Sequence, residues 1–309
     1  WSGQIMASMD YSYEYLDWQH GDIGEGYPHS GLLTSYIMNP AVTIGLSDYF
    51  NFTISKAIGT RIMDYNEVPG IAEQTTHHRD EGTDSNFSNA NGGWFGDTRL
   101  LLRYLILNDG MQGNRLFIGT GLTIPSKHRL TASPFIKDDN GVYPEHRHFS
   151  MSEGVYKAVF ETQYFKKRTS NPVFIGGSTT IEAPLNTNQY GYKASWLYDV
   201  SLSALTKNIP SIGAALSSSA VVRHATTASW GGTPTPNSRS TVLTLGVGFI
   251  WNLGIGGLSL NLQKPFFLDG RYSGIEGEVD QRVSAYQISL GYRRLLDYVI
   301  PWLDPLKDL

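Results

Sequence analysis

All eight histidines of the 309-residue chain, His20, His29, His77, His78, His128, His146, His148 and His224, fall in or beside stretches that read as long connections between strands. The densest polar cluster is Thr76-His77-His78-Arg79-Asp80-Glu81-Gly82-Thr83-Asp84. Imidazole and carboxylate together suit Zn, Cu, Ni or Fe. The spacing is neither the paired His of a zinc-protease helix nor an EF-hand loop, so the signal is compositional. The expected ligands are His77 and His78 with His146 and His148, holding a divalent transition metal, and no other cofactor is indicated. Polar residues of every kind gather in connections, which is the plainer reading of the histidines. It does not account for carboxylates outnumbering Lys and Arg in the same stretches, as with Asp138, Asp139, Glu145, Glu276, Glu278 and Asp280. An acidic rim of this kind concentrates cations by focusing the field.

A second set of charges recurs at alternate positions within apolar segments. It comprises Asp10, Glu14, Asp97, Arg99, Arg103, Glu153, Lys157, Glu161, Glu182, Lys193 and Asp199, joined by Arg61, Arg223 and Arg293. Opposite charges facing one narrow space pair and build a hydrogen-bonded network. That network is either a structural filling or a selectivity lining. Arg99 and Arg103 lie two steps apart on one face and are the expected constriction, paired with Glu153 or Glu161. A third feature is His148-Phe149-Ser150, in which a base and a hydroxyl would share a strand face. The triplet is common by chance, and no catalysis is expected from it.

These residues need strands to position them, and the sequence supplies a period of two. In Ile5–Tyr15, one face reads Ile5, Ala7, Met9, Tyr11, Tyr13, Tyr15 and the other Met6, Ser8, Asp10, Ser12, Glu14. Asp97–Leu107, Met151–Phe165 and Lys193–Leu205 repeat the pattern, with Leu102, Phe160 and Val200 on their apolar faces. Successive strand side chains point to opposite sides, so each segment has one apolar and one polar face. Eight further strands are expected near 33–46, 49–63, 115–126, 171–183, 211–223, 241–252, 258–267 and 283–294, giving about twelve.

The connections alternate too. Those at 47–48, 108–114, 166–170, 206–210 and 253–257 are short, whereas 17–31, 64–95, 127–148, 184–192, 224–240 and 268–282 are mostly long. An up-and-down transmembrane antiparallel β-barrel of the bacterial outer membrane has this rhythm, with periplasmic termini. A soluble β-sandwich or barrel also alternates, but its apolar faces would have to fill an interior, and twelve strands enclose too much space for that. The apolar faces are rich in Tyr and Trp near strand ends, as membrane girdles are. No apolar run reaches the length of a membrane helix.

Composition agrees. Gly (33) and Tyr (18) are abundant, only 17% of residues are charged, and there is no Cys, which excludes a disulfide framework and thiolate metal sites. A net charge of −4 leaves no basic surface for nucleic acid. A chain opening at Trp1 fits a mature exported protein.

Gly96-Asp97-Thr98-Arg99-Leu100-Leu101-Leu102-Arg103-Tyr104, a turn, and Gly119-Thr120-Gly121-Leu122-Thr123-Ile124-Pro125-Ser126 form a connected pair of motifs. They resemble the outer-membrane transporter-like family labelled "MetA-pathway of phenol degradation", which has a Gly-Asp-x-x-Leu-x-x-Arg-Tyr strand and a Gly-x-Gly-x-x-x-Pro-Thr-Gly strand end. The likeness is best over about 35–185, and Ser126-Lys127 replaces the Thr-Gly. It implies a barrel with a transport role and carries no catalytic residues. His148-Phe149-Ser150 is followed by Met151-Ser152, not the Asn-Gly of the outer-membrane phospholipases.

The expected organisation is a barrel over 1–294 and a tail over 295–309, in which Tyr298 and Trp302 suit an interfacial segment, a plug for the near mouth, or a hold for a periplasmic or envelope partner. The expected function is a channel or transporter for small solutes, not an enzyme, in contact with outer-membrane lipid and lipopolysaccharide. The alternatives are a scaffold barrel within an envelope complex and, last, a lipid hydrolase.

Overall fold

The computed structural model describes residues 2–21, 28–66, 86–88, 93–127, 150–235, 238–270 and 281–304. The strands are β1 (Gln4–His20), β2 (His29–Gly45), β3 (Phe50–Tyr65), β4 (Asn86–Ser88), β5 (Phe95–Asp109), β6 (Asn114–Ile124), β7 (Lys157–Lys167) and β8 (Phe174–Pro184). They continue with β9 (Tyr192–Lys193), β10 (Leu197–Ile209), β11 (Ala214–Ala225), β12 (Ser229–Trp230), β13 (Thr233–Pro234), β14 (Ser240–Leu253), β15 (Gly256–Gly270) and β16 (Gln281–Val299). Twelve close a ring in chain order, β1-β2-β3-β5-β6-β7-β8-β10-β11-β14-β15-β16, and β16 pairs antiparallel with β1. β4 pairs antiparallel with the end of β3, at Ile62, Met63 and Asp64, and β9, β12 and β13 form a separate small sheet. Closure removes free sheet edges, which is what a strand protein needs to cross lipid. Among the described residues no helix is long and apolar enough to cross a membrane.

The connections at 46–49, 110–113, 168–173, 210–213 and 254–255 lie at one end of the ring, the turn end, together with the start of β1 and the close of β16. Local chemistry makes these turns tight. Asp109 Oδ1 accepts hydrogen bonds from the amides of Met111 and Gln112 (3.1 and 3.0 Å), and Ser47 Oγ accepts from Tyr49 and Phe50 (3.2 and 3.0 Å). Gly113 adopts a φ of 72° against the Lys167 backbone, where a Cβ would collide. At the opposite end, the loop end, lie the described residues 185–196 and 226–235, between β8 and β10 and after β11.

Apolar side chains cover the outside. Leu202 is 62% exposed, and Val200, Leu245, Val247, Leu262, Phe160 and Ile288 are exposed with it. A continuous exposed apolar belt is the mark of a lipid-facing surface. Aromatic rings border it. Trp196 and Tyr198 stack at 6.3 Å toward the loop end, and Phe50 meets Tyr104 at 4.7 Å toward the turn end.

Several strand limits differ from the sequence pattern. The strand expected from Met151 begins at Lys157, because Gly154 turns at a φ of 73° and residues 150–156 fold inward. The strand expected from Lys193 begins at Leu197, and those expected from 171 and 211 begin at Phe174 and Ala214. β1 and β2 run on to His20 and His29, which pair with each other. β16 continues through Leu295-Leu296-Asp297-Tyr298-Val299, residues expected in the tail, because Met6 and Gln4 still offer partners to Leu295 and Val299. It stops before Pro301, which has no N–H for a ladder.

Candidate channel lumen

The concave side of β5, β6, β7 and β8 carries the strongest charge pairs. Arg103 lies opposite Gly119, and Gly119 opposite Glu161. The guanidinium reaches over the bare glycine and donates from Nε to Glu161 Oε1 (2.5 Å) and from Nη2 to Oε2 (3.3 Å). This two-point geometry holds a carboxylate by position as well as charge. Arg103 Nη1 also donates to Thr53 Oγ1 (3.0 Å), which is bonded to Thr43 Oγ1 (2.9 Å). The chain of contacts thus ties β2, β3, β5 and β7 together, and the Glu161 side chain is left only 8% exposed. Nearer the loop end, Arg99 Nη1 donates to Glu182 Oε1 on β8 (3.0 Å), while its buried Nε has no partner among the described residues.

A third level closes this wall. Lys157 Nζ pairs with Glu153 Oε2 (2.6 Å), and the Tyr192 hydroxyl donates to Glu153 Oε1 (3.2 Å). Asn188 donates to the Glu153 carbonyl (3.0 Å) and accepts from the Tyr192 amide (2.9 Å). Burial first, then the charge of Glu153 and the hydrogen bond to it, push the Tyr192 phenol well above its ordinary value. Asp97 accepts from the Ser126 amide (3.1 Å) and from the Ser152 hydroxyl. On β10 and β11, Arg223 grips Asp199 through Nε and Nη2 (2.7 and 3.3 Å). Its side chain remains 62% exposed, and the fields of Glu182 and of Glu14 on the far wall also act on it. Close packing around it together with that exposure fits a group hanging into water inside a ring.

The remaining wall is small and uncharged for long stretches. One hydrogen-bonded row runs Ser203, Ser219, Gly246, Gln263, Gln287, Glu14, Ser35, Arg61 around β10, β11, β14, β15, β16, β1, β2 and β3. Bulk returns at the loop end. Leu16, Trp18, Met63 and Ala285 cluster with Leu33, Phe267 and Val283, and Trp18 Nε1 donates to Met63 Sδ (3.2 Å). Val155, Tyr192, Ala194, Ala228 and Trp230 form a second core, which holds residues 150–156 against the sheet of β9, β12 and β13.

The sequence pairing is redistributed by this geometry. Arg103 meets Glu161 as expected, whereas Arg99 meets Glu182 and Glu153 takes Lys157. Asp10 and Glu14 share the inward face of β1, opposite Gly291 and Gln287. Lys193, expected in the lining, is exposed in β9, outside the barrel strands. His224, expected in a connection, lies in β11 with Nδ1 2.9 Å from Thr241 Oγ1. His77, His78, His146 and His148 lie outside the described residues. Among the described residues no group of three or more His, Asp or Glu is arranged to hold a metal ion. Thr53 and Tyr192 carry no sign of these roles in the sequence, and Gly119 stands out there only as the first residue of the Gly-x-Gly motif. A glycine at mid-strand marks a place where a neighbour approaches closely, which is the signal for the role it has here.

The fold is that of outer-membrane β-barrels. The chain is similar to a COG4313 outer membrane channel from Pseudomonas putida F1, with a TM-score of 0.62 and 13% identity, covering 95% of this chain and 96% of that one. Two others align at TM-scores below 0.5 and carry no further argument. The translocator domain of the autotransporter NalP from Neisseria meningitidis has 0.39 with 10% identity, over 93% and 88% of the chains. The outer membrane protease OmpT from Escherichia coli has 0.30 with 10% identity, over 95% and 97%. No family model and no curated protein sequence matches the chain.

Proposed function

We propose that the chain is a passive channel of the bacterial outer membrane for small polar solutes, with the loop end outside and both ends of the barrel chain facing the periplasm. The observation that carries the reading is the division of the inner wall. Paired charges crowd β5 to β8, with one more pair on β10 and β11, and Ser203, Ser219, Gly246, Gln263 and Gln287 form an uncharged row across β10 to β16. A polar solute can exchange water for hydroxyl and amide groups along such a row, which ends on Glu14, Ser35 and Arg61. The resemblance to an outer-membrane transporter family and the likeness to a COG4313 outer membrane channel support the same reading.

Purified protein in planar lipid bilayers is expected to give discrete conductance steps, and a silent bilayer at high protein density overturns the reading. Orientation is tested separately. A cysteine at Gln189 should react with an impermeant maleimide on intact cells, and one at Gln112 should not; the reverse result inverts the topology.

A structural barrel within an envelope complex is the second reading, favoured by the folded core around Val155 and Trp230 over the loop end. The close of the chain, where Trp302 is 79% exposed, offers such a complex an attachment. Lipid and lipopolysaccharide are the partners of the apolar belt. Attraction of divalent metal by the histidine-rich connections rests on their composition, and calorimetry with Zn²⁺ at pH 7.5 and 5.5 tests it.

A further inference from the structure

We propose that the outer surface of β15 and β16 near the loop end binds the phosphate of an anionic lipid headgroup between Lys264 and Arg282. The inference begins from an irregular position on the lipid face. The outward residues of β15 are Leu260, Leu262, Lys264, Phe266 and Leu268, all exposed, so a single cation interrupts an apolar row. Gln263 on one side lines the lumen row and Phe267 on the other packs into the inner cluster, which places Lys264 outside. Lys264 makes no hydrogen bond or ion pair with any described residue. Arg282 on β16 is likewise outward, since Val283 packs inward, and it too has no described partner.

The barrel wall changes at this point. The β15–β16 ladder runs from Gly257 opposite Arg293 to Gln263 opposite Gln287, and no described pair continues it. Lys264 is the next residue on one strand and Tyr286 the next on the other. Pro265 follows and has no N–H to offer. Backbone groups parted in this way need polar partners when they face lipid. The depth suits a headgroup. Tyr286 stacks on Tyr15 (5.0 Å, 19°) and lies 6.2 Å from Tyr13, which lies 5.3 Å from Tyr36. A run of exterior tyrosines marks the interfacial layer, where long cationic side chains extend toward phosphates.

Charge and apolar surface then fit one amphiphile. Arg282 stands four residues beyond Tyr286 on β16, about 13 Å along the strand, a span that the two long side chains close from both ends. Acyl chains would lie on Leu262, Leu260 and Leu245, and the phosphate would sit between the cations. Asp17 is the acidic group on this face; it lies opposite Ser284 and makes no ion pair with a described residue. A second protein copy would have to offer both an anion and an apolar face, whereas one lipid molecule offers both.

The test is native mass spectrometry of the detergent-purified full chain with lipid A, phosphatidylglycerol or phosphatidylcholine. The parent is expected to retain an anionic lipid over phosphatidylcholine. Preference for lipid A over phosphatidylglycerol identifies the source. The K264Q/R282Q double variant should lose about tenfold in that retention, the scale of one charged contact. K56Q should retain it, because Lys56 is placed elsewhere, beside Thr98 Oγ1 (3.2 Å) and the Phe95 ring (5.5 Å). Equal retention of neutral and anionic lipid, or no loss in the double variant, overturns the proposal. So does a dimer mass that K264Q/R282Q abolishes, which would assign the patch to a second copy.

Discussion

Arg103 and Glu161 are joined across Gly119, on strands that are not neighbours. A Cβ on Gly119 would stand 3.3 Å from Arg103 Cγ and 3.4 Å from Glu161 Cβ, so the glycine is the gap through which the pair forms. Gly119→Ala needs only a slight give and should change stability by less than about 1 kcal/mol. Gly119→Leu puts a branched side chain into the gap and should cost about 1–3 kcal/mol. Urea unfolding followed by the heat-modifiable shift of barrel mobility on gels measures both. An equal cost for the two substitutions would mean that the gap is not needed.

Tyr192 gives the loop-end core a pH limit. Its neutral phenol donates to Glu153, and burial beside that carboxylate disfavours the tyrosinate. A group whose folded pKa is raised contributes stability that is complete below its unfolded pKa and is lost as pH climbs toward the folded value. The window therefore opens at the ordinary phenol value of 10.0 and extends upward. Hydrogen exchange at 226–235 should accelerate above that pH in the parent more than in Tyr192→Phe, which has no phenol to ionise. Identical alkaline profiles would leave Tyr192 as packing only.

The same core shows where sequence reasoning stopped. Alternation reveals a strand because each side chain has one of two sides to face, and the twelve barrel strands were legible on that ground, with Leu202 out and Ser203 in. Val155, Tyr192, Ala194, Ala228 and Trp230 come from three connections and share no period, so nothing local announces their meeting. Glu153 and Lys157 mimicked a strand face, although Gly154 turns the backbone between them. Lys193 was read into the lining for the same reason. The ion pairs were legible as a class but not in register, because Arg99 reaches past β6 and β7 to Glu182 and only the tilt of the ring decides which carboxylate it meets.

The two sides of β10 should respond differently to a charge. Leu202 faces outward and exposed, whereas Ser201 shares a hydrogen bond with Ser178 (2.7 Å) on the inner face. Leu202→Arg should cost about 2–4 kcal/mol if it meets the bilayer midplane, and Ser201→Arg much less. Folding titrations into lipid vesicles give both values. Comparable costs would mean that the apolar belt is not in contact with lipid.

Ion selectivity is the sharpest reporter of the inner wall. Arg99 and Arg103 are each matched by one carboxylate, Glu182 and Glu161. Replacing both arginines by Ala removes two positive charges and leaves two negative ones facing the passage. Field lines in a low-dielectric ring are focused along its axis, so the mouth-to-mouth potential turns more negative and cations are favoured. Two long side chains are also removed, so conductance should rise with the change in selectivity. In a salt gradient across a planar bilayer, the reversal potential of Arg99→Ala/Arg103→Ala should therefore move toward that of a cation-selective pore. Arg223→Ala, which frees Asp199, should move it the same way. If Arg223→Ala shifts the reversal potential and the Arg99/Arg103 pair does not, the conducting path follows the serine-lined wall and the β5 arginines only brace the barrel. If neither moves it, ions do not pass these charges at all.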